Sequence, residues 1–149
     1  MARAKNTPLI PILLIEDNPI RIQWFQNYLP IGFRLVAVRN GGSALGMLKR
    51  DRGHVLGGIL LDHDLQMGVV TVADRDLSGT QMVEAMIGNI SNRVPVLIHS
   101  MNPGKAPIMV RRLEEAGFGV TRTSWFDIND ALYHEWLEEV REAWEDRDA

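Results

Sequence analysis

A chain of 149 residues that is 46% hydrophobic and 23% charged has the length and composition of one globular domain with a sizeable core, so disorder is not expected outside the two ends. It contains no cysteine, so disulfides and thiolate metal sites are excluded, and its formal net charge of −3, with Lys and Arg scattered, gives no strong nucleic-acid signature and no anionic-lipid face. No apolar run approaches the roughly 20 residues of a membrane span and Met1 to Pro8 lacks the apolar centre of a signal peptide, so a cytoplasmic protein with no membrane partner is expected.

After residues 1–8, which are expected to fray, Leu9 to Ile15 is an apolar run long enough for a buried strand, and it ends in Glu16 and Asp17. Pro11 cannot donate to a ladder, so the regular part is placed at Ile12 to Ile15. Asn18 as N-cap and Pro19 at the first helical position start a helix, whose apolar face carries Ile22, Phe25 and Leu29 with Trp24 and Tyr28 beside them. Pro30 and Gly32 stop it. Phe33 to Val38 reads as a second strand, and Asn40-Gly41-Gly42-Ser43 as a turn into a short helix from Ala44 to Arg50 with Leu45 and Leu48 inward.

The third apolar run, Gly57 to Leu61, breaks off abruptly into Asp62-His63-Asp64. A buried parallel strand that ends this way delivers polar side chains to its carboxyl end, where ligands bind in open α/β sheets. Residues 66–78 form a polar stretch longer than the usual connection of about 4–6 residues and are expected to be functional or mobile. Asp74, Arg75 and Asp76 within it read as solvated loop. A helix from Thr80 to Ile90 follows, then a strand from Val94 to Ile98 that ends in His99-Ser100-Met101-Asn102.

A helix from about Ala106 to Ala116 is closed by Gly117, a short strand covers Gly119 to about Arg122, and Ile128, Leu132, Trp136, Val140 and Trp144 repeat every four residues down a long amphipathic helix. Residues 145–149 are expected to fray. Five strands alternating with five helices, without an internal repeat, make a doubly wound α/β pattern in a single domain over residues 1–149. The tryptophans and methionines fall at helical spacing and read as core.

Right-handed crossovers would put the carboxyl ends of these parallel strands on one edge. Glu16, Asp17, Asp62, His63, Asp64, His99, Ser100 and Asn102 would then converge. Carboxylates this close stay ionised only beside a cation, and an oxygen-rich set without thiolates suits Mg²⁺ (or Mn²⁺), expected at Asp17 and Asp62 with Glu16 close by. Taken singly, Ser100 and Asn102 are turn material, and each histidine alone would read as structural; their joint placement beside acids makes them candidates.

Ile12 to Asp17, Leu60-Leu61-Asp62, the hydroxyl residue Ser100 after the fourth strand and the β/α order resemble two-component response-regulator receiver domains over nearly the whole chain. Leu61-Asp62-His63-Asp64-Leu65 and His99-Ser100-Met101-Asn102-Pro103-Gly104 are similar to a divergent receiver-like group named for cyclic-phosphate processing. The resemblance implies a flavodoxin-like five-stranded parallel sheet in the order 2-1-3-4-5. It matches Glu16 and Asp17 to the Mg²⁺-holding acidic pair, Asp62 to the phosphoacceptor and Ser100 to the phosphoryl-sensing hydroxyl.

The chain also departs from the receiver pattern. No Lys-Pro follows the fifth strand, where Val120-Thr121-Arg122-Thr123-Ser124-Trp125 offers Arg122 as a substitute cation of different reach and geometry. The loop after Asp62 is expanded. Two mechanisms are expected to compete. In one, a phosphate-containing small molecule or nucleotide end carrying a cyclic phosphate is opened with His63 and His99 as base and acid. In the other, Asp62 accepts a phosphoryl group in a phosphorelay with a histidine kinase or other signalling protein. A degenerate receiver that only binds protein is the third class.

Overall fold

The computed structural model describes residues 8–51, 55–62, 79–99 and 106–147. Its elements are β1 (Ile10–Ile15), α1 (Pro19–Asn27), β2 (Phe33–Val38), α2 (Gly41–Arg50), β3 (Gly58–Leu61), α3 (Gly79–Asn89), β4 (Val96–His99), α4 (Ala106–Glu115), β5 (Val120–Thr123) and α5 (Asp130–Asp146). The strands form one parallel sheet in the order β2-β1-β3-β4-β5, the doubly wound arrangement expected. No helix among the described residues is long and apolar enough to cross a membrane.

Several boundaries differ from the sequence expectation for physical reasons. Pro11 lies inside β1 because its missing donor faces the β3 side below that strand's start: the ladder begins with Ile12 opposite Gly58, and only Gly57 N–H reaches the Pro11 carbonyl, at 2.9 Å. Helix α2 starts three residues earlier than Ala44, because Asn40 is an N-cap whose side chain accepts from Ser43 N–H at 2.8 Å and turns the glycine pair into the first helical turn. Asn18 caps α1 as expected, accepting from Ile20 and Arg21 N–H. Gly117, at φ +93°, closes α4: its N–H donates to Glu114 O, and Phe118 N–H reaches back to Leu113 O.

The central strands are buried along their whole length. On one face α2, α3 and α4 pack Ala44, Leu48, Met82, Val83, Met86, Met109 and Leu113 against Leu13, Ile15, Ile59, Leu61, Val96 and Ile98. On the other, α1 and α5 bring Phe25, Tyr133, Trp136, Leu137 and Val140 onto Ile12, Leu14, Leu60 and Leu97. Helix α5 sits close because Gly58 has no side chain: a Cβ there would lie 2.9 Å from both Trp136 Cη2 and Val140 Cγ2.

Candidate functional site

Strand register levels the acids. Ile15 pairs with Leu61, so Glu16 and Asp62 leave neighbouring strands side by side, and Asp62 N–H donates to Ile15 O at 3.0 Å while Glu16 N–H donates to Val38 O at 3.0 Å. Glu16, Asp17 and Asp62 are all buried, and each offers one oxygen such that the three lie within 4.8 Å of one another. Three carboxylate oxygens at that spacing can hold one divalent cation.

Glu16 is held through both of its carboxylate oxygens. Its Oε2 accepts from the backbone N–H of Asp17 at 2.9 Å and of Asn18 at 3.1 Å, and its Oε1 lies 3.1 Å from His99 Nε2. Burial alone would push this carboxyl up, but the hydrogen bond with His99, its charge in the protonated state that forms at lower pH, and the Asn18 N–H outweigh it and hold Glu16 well below its ordinary 4.5. His99, completely buried, is itself pushed below 6.5 by desolvation against the pull of Glu16, with Arg21 adding to the depression. The imidazole is therefore neutral at pH 7 and donates its Nε2–H to the ionised carboxylate. Its Nδ1 is buried and has no hydrogen-bond partner among the described residues.

Arg21, in the first turn of α1, sets a cation against the acids. Its Nη1 lies 3.6 Å from Glu16 Oε1 and 3.9 Å from Asp62 Oδ2, and its guanidinium carbon sits 5.1 Å from the centroid of the Trp125 ring. Trp125 meets Trp24 edge-on at 5.7 Å and stands 6.5 Å from His99, which packs on Phe25 at 4.9 Å. Arg39 Nη2 donates to the backbone carbonyl of Asp17 at 3.2 Å.

Of the residues singled out from sequence, Glu16, Asp17, Asp62 and His99 come together. Arg122 is exposed on β5 level with Ile98, whereas Thr123, one residue on, is level with His99 and turned to the opposite face. His63, Asp64, Ser100, Asn102 and the stretch 66–78 lie outside the described residues. Arg21 and Trp125 were not anticipated. The available signal was a lone cation in the first turn of a helix that follows an acidic pair directly; nothing in the sequence ties Trp125 to it.

A five-stranded 2-1-3-4-5 sheet with acids at the carboxyl ends of β1 and β3 defines a receiver-type domain. Similar solved structures agree on the fold. A CheY-like response-regulator receiver domain from Methylobacillus flagellatus matches with TM-score 0.66 at 18% identity, covering 89% of this chain and 99% of that one. A response-regulator receiver protein from Sinorhizobium medicae WSM419 matches with TM-score 0.64 at 19% identity, covering 89% and 94%. The receiver domain of the sensor histidine kinase PA1611 from Pseudomonas aeruginosa PAO1, with a magnesium ion coordinated in its active-site cleft, matches with TM-score 0.58 at 23% identity, covering 89% and 98%. None of the curated proteins compared matches the sequence. The family described as the Cyclic-phosphate processing Receiver domain matches residues 12–115, more than half of the chain, and the chain belongs to that family.

Proposed function

We propose that the carboxyl edge of the sheet binds a divalent cation, Mg²⁺ or Mn²⁺, through Glu16, Asp17 and Asp62 and processes a phosphate ester there. The substrate class is a small molecule or nucleotide end carrying a cyclic phosphate. The observation that carries this is the convergence of three buried carboxylates within 4.8 Å beside the Arg21 guanidinium. The donor set fits the cation: it is all oxygen, the chain has no thiolate, and a magnesium ion occupies the cleft of the similar Pseudomonas aeruginosa receiver. When bound, the cation would neutralise phosphate charge and leave room for water and ester oxygens as further ligands.

The chain's own residues do the rest. Backbone N–H groups of Asp17 and Asn18 and the His99 ring hold Glu16 in one orientation, so it enters as a pre-formed ligand rather than a mobile one. His99, buried and committed to Glu16 through Nε2, acts on the site by positioning that carboxylate. His63, which follows Asp62 directly in sequence, is the candidate for proton transfer to the ester oxygen as the ring opens.

A second reading is favoured by the burial of His99, which takes one of the two imidazoles out of reach of a substrate. Here an Asp62 oxygen bonds to the phosphorus of a donor as the donor's leaving group departs, and the acyl phosphate biases a surface read by a histidine kinase or another signalling protein. We place either activity in the cytoplasm.

Incubation with Mg²⁺ or Mn²⁺ and a nucleoside 2′,3′-cyclic phosphate, followed by chromatography, separates the two. Ring opening that is lost in both Asp62→Asn and His63→Ala supports the first. A folded protein that leaves the ring intact with either metal, yet takes up phosphate on Asp62 from a small phosphodonor, establishes the second.

A further inference from the structure

The corner that follows β5 carries two aromatic residues where a tight turn ordinarily carries glycine, proline, asparagine or aspartate. The Ser124 carbonyl accepts from the Asp127 N–H at 3.2 Å, and the Ser124 hydroxyl donates to Asp127 Oδ2 at 2.9 Å and accepts from the same N–H at 3.2 Å. Ser124 and Asp127 thus lock the corner, with Trp125 and Phe126 at its centre. Packing accounts for Trp125, which is half-buried with its ring 5.7 Å from Trp24, 5.9 Å from Phe25 and 5.1 Å from the Arg21 guanidinium carbon. It does not account for Phe126, which is 77% exposed. A lone exposed apolar residue is ordinary, and Ile31, at the opposite edge where Gly32 O meets the first N–H of β1, is another. What sets Phe126 apart is its place. Thr123, three residues before it, is level with His99, and its neighbour Trp125 lies on Arg21, which is 3.6 Å from Glu16 Oε1 and 3.9 Å from Asp62 Oδ2.

We propose that Phe126 is a nucleobase platform beside the acidic pocket: when the phosphate of a nucleotide sits at the carboxylates, the base of that nucleotide stacks on the Phe126 ring. The proposal rests on the phosphate-ester reading above and narrows its substrate class to nucleotides. A stacking platform needs a ring that is held still and open to solvent on one face, and here the locked corner supplies the first condition and exposure the second. Stacking reads a π-face and no base edge, so purines and pyrimidines are accepted alike. The net charge of −3, with Lys and Arg scattered, provides no groove to track a phosphate backbone, so recognition is confined to one nucleotide unit, free or at a chain end. Ile20, 78% exposed and adjacent to Arg21 in α1, offers apolar surface at the same edge but no planar face, which makes it the comparison for stacking against simple apolar contact.

The test is calorimetric titration of the whole chain in Mg²⁺ with inorganic phosphate, adenosine 3′-monophosphate and uridine 3′-monophosphate, on wild type, Phe126→Ala, Phe126→Trp and Ile20→Ala. The two monophosphates are ring-opened and bind without turning over. Wild type is expected to bind both nucleotides on the order of tenfold more tightly than phosphate. Phe126→Ala, whose thermal unfolding should be unchanged because the side chain is exposed, is expected to lose that preference and to bind phosphate as before. Phe126→Trp and Ile20→Ala are expected to keep it. A short oligoribonucleotide with a 3′-phosphate separates the two sources of the nucleotide: Phe126-dependent binding tighter than that of the monophosphates assigns a chain end, and equal binding assigns a single nucleotide, both in support of the platform. Nucleotide and phosphate bound alike by wild type, or a preference that survives Phe126→Ala or falls equally in Ile20→Ala, overturns the proposal and leaves the phosphate site standing. Wild type that binds none of the probes overturns both.

Discussion

The face of the sheet under α2, α3 and α4 is filled by aliphatic and methionine side chains, with Phe118 its one buried aromatic, while the face under α1 and α5 is built on Phe25, Phe33, Tyr133 and Trp136 with Trp24, Trp125 and Trp144 around them. Both bury the sheet, but among the described residues it is the aromatic face that continues to the carboxyl edge: Phe25 packs on His99, His99 holds Glu16, and Trp125 packs on Arg21. Flexible aliphatic chains can fill a space in several ways, whereas rings have few rotamers and fix what rests on them. Among the described residues, the side chains that brace the site are thus an extension of the aromatic core.

Truncating each core at its centre is the strongest way to break that comparison. Phe25→Ala should cost about 3–5 kcal/mol and Leu48→Ala about 2–5 kcal/mol in denaturant unfolding, since both side chains are fully buried. The two should part in function. The milder Phe25→Leu, still folded, is expected to weaken Mg²⁺ binding because His99 loses its ring partner, while Leu48→Ala leaves binding intact. Equal weakening by both would show that the site draws on the whole core.

A methyl group added under α5 tests how tightly the aromatic face closes. At Gly58 the new Cβ would press on Trp136 and Val140, both of them in the helix's buried stripe, so Gly58→Ala should destabilise by about 1–3 kcal/mol in the same assay. At Gly88, in α3 on the aliphatic face, a Cβ meets nothing within 4 Å, and the same substitution should be neutral or slightly stabilising through helix propensity.

Acid should separate the faces as well. In metal-free protein the folded-state pKa values of His99 and Glu16 both lie below their unfolded values of 6.5 and 4.5. The unfolded chain then binds more protons, so the stability that these groups contribute is present above pH 6.5 for His99 and above 4.5 for Glu16. It is lost as pH falls through those windows, at about 1.4 kcal/mol per unit of depression. His99→Gln should flatten the decline between about pH 6.5 and 4.5 in unfolding curves recorded across that range, and a decline of unchanged slope would place the titrating group elsewhere.

How much of this was legible beforehand depended on whether a residue's position follows from its own strand. Apolar runs that end in acids are visible as such, so the meeting of Glu16, Asp17, Asp62 and His99 at one edge could be read from sequence, and the strand order came with the resemblance those strings carry. Arg122 was chosen for its nearness in sequence to the end of β5, but alternation along a strand turns it away from the face that His99 shares with Thr123. Arg21 and Trp125 were not visible because their meeting depends on how α1 is rotated over the sheet and on the path from β5 to α5, neither of which a local pattern specifies. The Gly41-Gly42 pair looked like a turn because glycine is a poor helix former, and the Asn40 cap overrode that preference.

The smallest expected effects come from the helix caps, and they sharpen the comparison most cleanly because they perturb no core. Asn18 caps α1 on the aromatic side and Asn40 caps α2 on the aliphatic side, each through its side-chain oxygen. Replacing either by Ala should cost about 1 kcal/mol, since each loses one backbone N–H acceptor at a helix start. The consequences for the pocket should differ. Asn18 accepts from the N–H of Arg21 itself, and its own N–H donates to Glu16, although that backbone bond survives the substitution only as long as the first turn holds its shape. Fraying that turn would move Arg21 and the Asn18 N–H relative to Glu16, so Asn18→Ala should change Mg²⁺ affinity, while Asn40→Ala leaves it unchanged. If the two cap variants change affinity alike, the acidic pocket is tuned by the overall stability of the domain and not by the aromatic face that carries its cation.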